Sequence, residues 1–154
     1  QLFAAWYENP KIEIREISAT LSWFNDINKN RQFNLTDYKI DLFPSIGYNG
    51  DIVLLSPELL GGIEKKYNNF IIGNVKTKSI FDIEKSLETI GYVKDFSKGV
   101  LMCKEECDYF SFCGGGQASN KFYETGQLAI METKYCHNSK KRPVDAIIKQ
   151  LNFK

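Results

Sequence analysis

Cys103-Lys104-Glu105-Glu106-Cys107-Asp108-Tyr109-Phe110-Ser111-Phe112-Cys113-Gly114-Gly115-Gly116 is the stretch on which the rest of the chain turns. Three thiols fall within it, separated by three and five residues. The fourth, Cys136, follows Cys113 after twenty-two more. No other cysteine occurs among the 154 residues. Three donors on one short loop, with a fourth brought back by the returning chain, can assemble a four-thiolate pocket. Four thiolates suit zinc or an iron–sulfur cluster. Zinc ribbons pair their ligands as CxxC knuckles, and no CxxC occurs here. The clustered-plus-remote spacing favours a cluster and leaves zinc as the alternative. His137 follows the last cysteine, but four sulfurs already complete a site.

The neighbours of the thiols fit the same chemistry. Gly114, Gly115 and Gly116 let the backbone approach closely and turn its N–H groups toward sulfur. The bland alternative is a hinge. Tyr109, Phe110 and Phe112 lie between the second and third thiols and would exclude water, or simply fill core. Asn120, Lys121, Glu124 and Glu132 are candidates for contacts to the metal ligands or to a bound peptide. The competing expectation is an exposed hairpin with ordinary charges.

Composition sets the frame. Hydrophobic residues make up 43% and charged residues 25%, which excludes disorder. A net charge of +1 gives no global field to recruit nucleic acid or a membrane surface. No apolar run is long enough to span a bilayer, and no secretory signal is read. Clustered thiols without an export signal point to a reducing, cytoplasmic setting and to metal, with disulfides as the lesser alternative. The start at Gln1 suggests a processed chain or part of a longer one.

Helices are expected over residues 1–9 and 11–25, the second with Asn9 as cap, Pro10 in its first turn and Ile14, Ile17, Leu21 and Phe24 on one face. Residues 26–38 read as loop and Ile40 to Leu42 as a half-buried strand. Asn49-Gly50 marks a hairpin between 46–48 and 52–55. Phe70 to Ile72 reads as a strand ending near Gly73. A capped helix is expected from Ser79 through Ile80, Ile83, Leu87 and Ile90, stopping at Gly91. Thr125-Gly126 marks a second hairpin between Phe122-Tyr123 and Leu128–Met131. Lys140 to Arg142 reads as a basic turn. Pro143 then opens a last helix, with Val144, Ile147, Ile148 and Leu151 buried.

Cys103-x3-Cys107-Asp-Tyr-Phe-x-Phe-Cys113-Gly-Gly-Gly-x3-Asn120-Lys121-x2-Glu124-x-Gly126, with Glu132-Thr133-x-Tyr135-Cys136, resembles the C-terminal SPASM region of radical SAM peptide maturases. The cyclophane-forming maturases are the most similar group. Leu55-Ser56-Pro57-Glu58-Leu59-Leu60-Gly61 and Tyr67-x2-Phe70-x2-Gly73-Asn74-Val75 extend the resemblance upstream, to about residues 46–151.

The resemblance implies an α+β, SPASM-like fold: short β-hairpins with flanking helices around a four-cysteine cluster loop. A helical segment at 1–45 would precede a cluster domain at 46–154. It implies one auxiliary [4Fe–4S] cluster on Cys103, Cys107, Cys113 and Cys136. It also implies S-adenosylmethionine and a second cluster in an N-terminal radical SAM domain, in cis or as a separate subunit, and a precursor peptide as the partner that is cross-linked.

Two departures qualify it. The Cx3Cx2C loop that binds the SAM cluster does not occur in these residues, so this chain alone is not expected to be competent. A full SPASM region also carries cysteines for another auxiliary cluster. Here Leu55-Ser56, Lys78 and Gly116 to Ala118 stand where those thiols would fall.

Overall fold

The structure is a computed structural model that describes residues 2–28, 39–77, 79, 81–82 and 89–152. It is helix-rich, with one small sheet. Helices α1 (Leu2–Glu8) and α2 (Arg15–Asn28) come first. Strands β1 (Ser45–Ile46), β2 (Asp51–Val53) and β3 (Gly73–Asn74) form an antiparallel sheet in that order. Helices α3 (Gly91–Glu106), α4 (Phe110–Cys113), α5 (Ala118–Thr125) and α6 (Lys134–Cys136) carry the cysteines or flank them. A π-helical segment (His137–Lys141) joins α6 to α7 (Arg142–Asn152). Among the described residues, no helix is long and apolar enough to cross a membrane.

The hairpin at Asn49-Gly50 forms, with Ile46 opposite Ile52. Only Gly50 takes a positive φ, +93°. Gly50 N donates to the Gly47 carbonyl at 2.9 Å, so a β-turn followed by one left-handed residue makes the connection. The strand expected at Phe70–Ile72 lies later, at Gly73–Asn74. Asn68 and Asn69, which tolerate the left-handed region, bend the chain at φ +51° and +52°. Phe70 is thereby driven inward with 0% exposure, edge-on to Tyr92 and Phe122. Ile40 and Leu42 are not in a strand, although the Leu42 carbonyl accepts from Leu55 N.

Gly91 begins a helix rather than ending one. Tyr92, Val93, Phe96, Gly99, Val100 and Cys103 recur at helical spacing and form the buried stripe of α3. Of the helix expected before it, Phe81 and Asp82 are helical, while Ile80, Ile83 and Leu87 lie outside the described residues. Of its proposed cap, Ser79 Oγ accepts from Phe81 N at 3.3 Å. The stripe of α3 packs with Val53, Leu54, Leu59, Tyr67, Phe70, Phe110, Ala118 and Leu128 into the main core. Tyr92 anchors it to the sheet side, its hydroxyl oxygen accepting from Leu54 N at 2.8 Å.

The second hairpin does not form. Ala118–Thr125 is helical, and Gly126, at φ +71°, caps it by donating to the Phe122 carbonyl at 2.7 Å. A Thr-Gly pair suits a hairpin turn and a helix C-terminus equally, and Ala118 and Lys121 facing inward decide for the helix.

At the N-terminus, α2 begins at Arg15, so Pro10 does not sit in its first turn. Phe3 and Ile17 bury against Ile147 of α7, with Trp6, Ile14, Leu21 and Phe24 around them. Helices α1 and α2 thus share a core with the last helix. On α7 itself Val144 and Ile147 are buried, while Ile148 is exposed, and the Leu151 side chain lies outside the described residues.

Candidate metal centre

The four cysteines come from three helix ends, not from one loop. Cys103 is in the last turn of α3 and Cys107 is its C-terminal cap, with Cys107 N donating to the Cys103 carbonyl at 3.0 Å. Cys113 ends α4, and Cys136 ends α6. All four nevertheless line one cavity of about 280 Å³. None is in a disulfide. Among the described residues, no three His, Cys, Asp or Glu side chains are placed to hold a metal ion.

The glycine run turns the chain back over Cys113. Gly114, Gly115 and Gly116 have φ of +67°, +89° and +80°, a left-handed sequence that only glycine takes without strain. Gly114 caps α4, donating to the Phe110 carbonyl at 2.7 Å. The N–H groups of Gly115 and Gly116 then face the Cys113 sulfur. A Cβ on Gly115 would stand 3.1 Å from both Val100 methyls, so the site also needs the missing side chain.

The sulfurs differ in charge preference. The Cys136 thiol donates to the Cys113 sulfur, which pulls Cys113 below the ordinary thiol range, and the glycine amides and Lys140 add to this. The same bond and burial push Cys136 up. Burial raises Cys103, whose thiol donates to the Met131 carbonyl at 3.4 Å.

Each of the other candidates has a definite place. Glu124 accepts from Lys134 N at 2.6 Å and Tyr135 N at 3.1 Å, so it caps the turn that carries Cys136. Thr133 Oγ1 completes that cap, accepting from Cys136 N at 2.9 Å. Lys121 is 1% exposed, not an ordinary surface charge, and its ammonium donates to the Ile130 carbonyl at 2.7 Å. Glu132 lines the cavity and pairs with Lys141 at 3.1 Å and His137 at 3.5 Å. His137 therefore faces a carboxylate at the surface. Asn120 also lines the cavity and donates to Gln117 at 3.2 Å. Phe110 is buried beneath the site. Phe112 instead packs on Trp23 of α2, with ring centroids 5.3 Å apart. Tyr109 donates to Asp145 of α7 at 2.6 Å.

No family model matches the chain, and no solved structure matches it. A relative does. The uncharacterized protein sll1766 of Synechocystis sp. is 40% identical over 92 residues. That match takes in 60% of this chain and 23% of the relative, so the chain spans less than a quarter of that protein's length.

Several contributors were not read from the sequence. Thr133, three residues before Cys136, had a legible signal as a helix cap. Gly99, Met131, Lys140 and Lys141 had none, because their roles depend on which elements meet. The π-helical segment brings both Lys140 and Lys141 to the cavity, where a basic turn was expected.

Proposed function

We propose that this chain is an auxiliary cluster-holding region of a radical SAM enzyme that cross-links a ribosomally made precursor peptide. The observation that carries the reading is one cavity lined by all four thiols, with glycine amides directed at a sulfur. Four thiols lining one cavity are the donor set of a [4Fe–4S] cluster. The motif resemblance supplies the enzyme class, and the 40% identical stretch within a much longer relative is compatible with a region that works inside a larger protein.

When bound, the cluster supplies one-electron transfer. The residues of this chain hold and shield it. Cys103, Cys107, Cys113 and Cys136 are the ligands, which leaves no open position for substrate. Gly115 and Gly116 stabilise negative charge on Cys113 through their N–H groups. Phe110 and Val100 keep water from the inner wall. Glu124 and Thr133 hold Cys136 in place. Asn120 and Glu132, at the mouth, are the candidates for contact with the peptide. The SAM chemistry belongs to an N-terminal radical SAM domain in cis or in a partner subunit, and the working compartment is the cytoplasm, where thiols stay reduced.

Anaerobic reconstitution with iron and sulfide tests this. The chain should turn brown and bind about four irons. Cys107→Ser should lose the iron and raise hydrogen exchange across residues 99–140, because metal binding supplies folding free energy there. A chain that stays colourless and binds a single zinc would point instead to a zinc-stapled recognition module. Full iron in the Cys107→Ser protein would remove the ligand assignment.

A further inference from the structure

Lys121 sits at the inner wall of the cavity, almost wholly out of water. Its ammonium has the Ile130 carbonyl at 2.7 Å and lies 5.2 Å from the centroid of the Phe96 ring. Gly99 makes the room. A Cβ there would stand 2.9 Å from Lys121 Nζ, and 2.6 and 2.7 Å from the carbonyl oxygens of Leu128 and Ile130. Among the described residues, no carboxylate pairs with Lys121. Burial works against the charge of this ammonium, and the sulfurs of Cys103, Cys113 and Cys136 work for it.

One carbonyl and one ring do not offset the cost of taking an ammonium out of water, so a buried cation is retained where an anion faces it. In the metal-free chain Cys113 alone is held toward its thiolate form, whereas four metal-bound thiolates are all anions. The ammonium therefore faces its full counter-charge only when the sulfurs hold an anionic group. We infer that the Lys121 ammonium is the built-in counter-charge of the group held by the four cysteines, and that it raises that group's reduction potential. The inference rests on the cluster reading above. A fixed positive charge favours the more negative, reduced state, and in a low-dielectric wall it acts with little screening by salt. Lys121 is a positioning residue: it touches neither the reacting atoms nor a substrate.

The test uses the full chain, reconstituted anaerobically with iron and sulfide, as wild type, Lys121→Met and Lys121→Gln. Iron is counted, and the midpoint potential is read by an EPR-monitored redox titration at low and high salt. Methionine removes charge and donor together; glutamine removes the charge but keeps a donor for Ile130. Both variants should titrate at a more negative potential than wild type, at either salt concentration. A wild type that takes up no iron removes the cluster reading and this inference with it. Loaded variants with an unmoved potential overturn the inference alone, as does a shift in Lys121→Met that Lys121→Gln lacks. Should neither variant take up iron, Lys121→Arg decides: uptake regained supports the counter-charge, and uptake still lost overturns it.

Discussion

The Cys113 and Cys136 sulfurs are hydrogen-bonded to each other, and the bond favours the thiolate form of Cys113. The Cys136 thiol and the glycine amides hold Cys113 toward its thiolate form, whereas burial keeps Cys103 and Cys136 as thiols. The thiolate is the nucleophile. In the metal-free chain at pH 7, iodoacetamide should therefore label Cys113 ahead of Cys103 and Cys136, as read by peptide mass mapping. The sign follows from the lowered value: labelling of Cys113 should fall as pH drops, with its midpoint below the free-thiol value of about 8.5. Gly99 offers a test of packing. Alanine there favours the helix by about 1 kcal/mol, yet its Cβ would meet a carbonyl oxygen at 2.6 Å. Overpacking costs about 1–3 kcal/mol, so Gly99→Ala should lower the midpoint of chemical denaturation. An unchanged or higher midpoint would mean that the wall around Lys121 yields easily.

At the scale of elements, α6 is too short to stand alone, and its first turn is held from outside. Glu124 at the end of α5 accepts from two of its amides, and Thr133 from a third. This cap ties the position of Cys136 to α5. Glu124→Ala should destabilise the turn by about 1 kcal/mol, with faster hydrogen exchange at Lys134 and Tyr135 and slower recovery of iron during reconstitution. Glu124→Gln, which keeps an acceptor, should lose less. Asp95 plays a comparable part elsewhere, joining α3 to the 65–70 segment by accepting from Lys66 at 2.9 Å and Tyr67 at 2.7 Å. The hairpin at Gly50 was legible because a single residue sets its backbone. The helix at Ala118–Thr125 was not, because Gly126 ends a helix or turns a hairpin equally well and only the core facing Lys121 chooses. Likewise Gly91 looked like a stop, although Val93, Phe96, Val100 and Cys103 after it carried the helical period.

Across the whole molecule, the first two helices and the last form a second small core around Ile147. Trp23 on Phe112 and Asp145 on Tyr109 then link that core to the segment between Cys107 and Cys113. The helices at the two ends of the chain thereby brace the outer side of the cavity. Ile147→Ala should cost about 2–5 kcal/mol. If the bracing holds, the same change should raise hydrogen exchange around residues 109–113; exchange confined to the helices would show that the two cores act separately.

What the sequence determined by itself was the chemistry on offer: four thiols, their spacing, and a glycine run after the third. Those are local properties, since donor type and backbone freedom belong to the residue and not to its surroundings. Only the tertiary structure decided that Lys121 is buried at the cavity wall, that Glu124 and Thr133 cap the Cys136 turn, and that Gly99 clears space for an ammonium. Burial and charge compensation depend on which elements meet, and elements meet through cores whose members lie far apart along the chain.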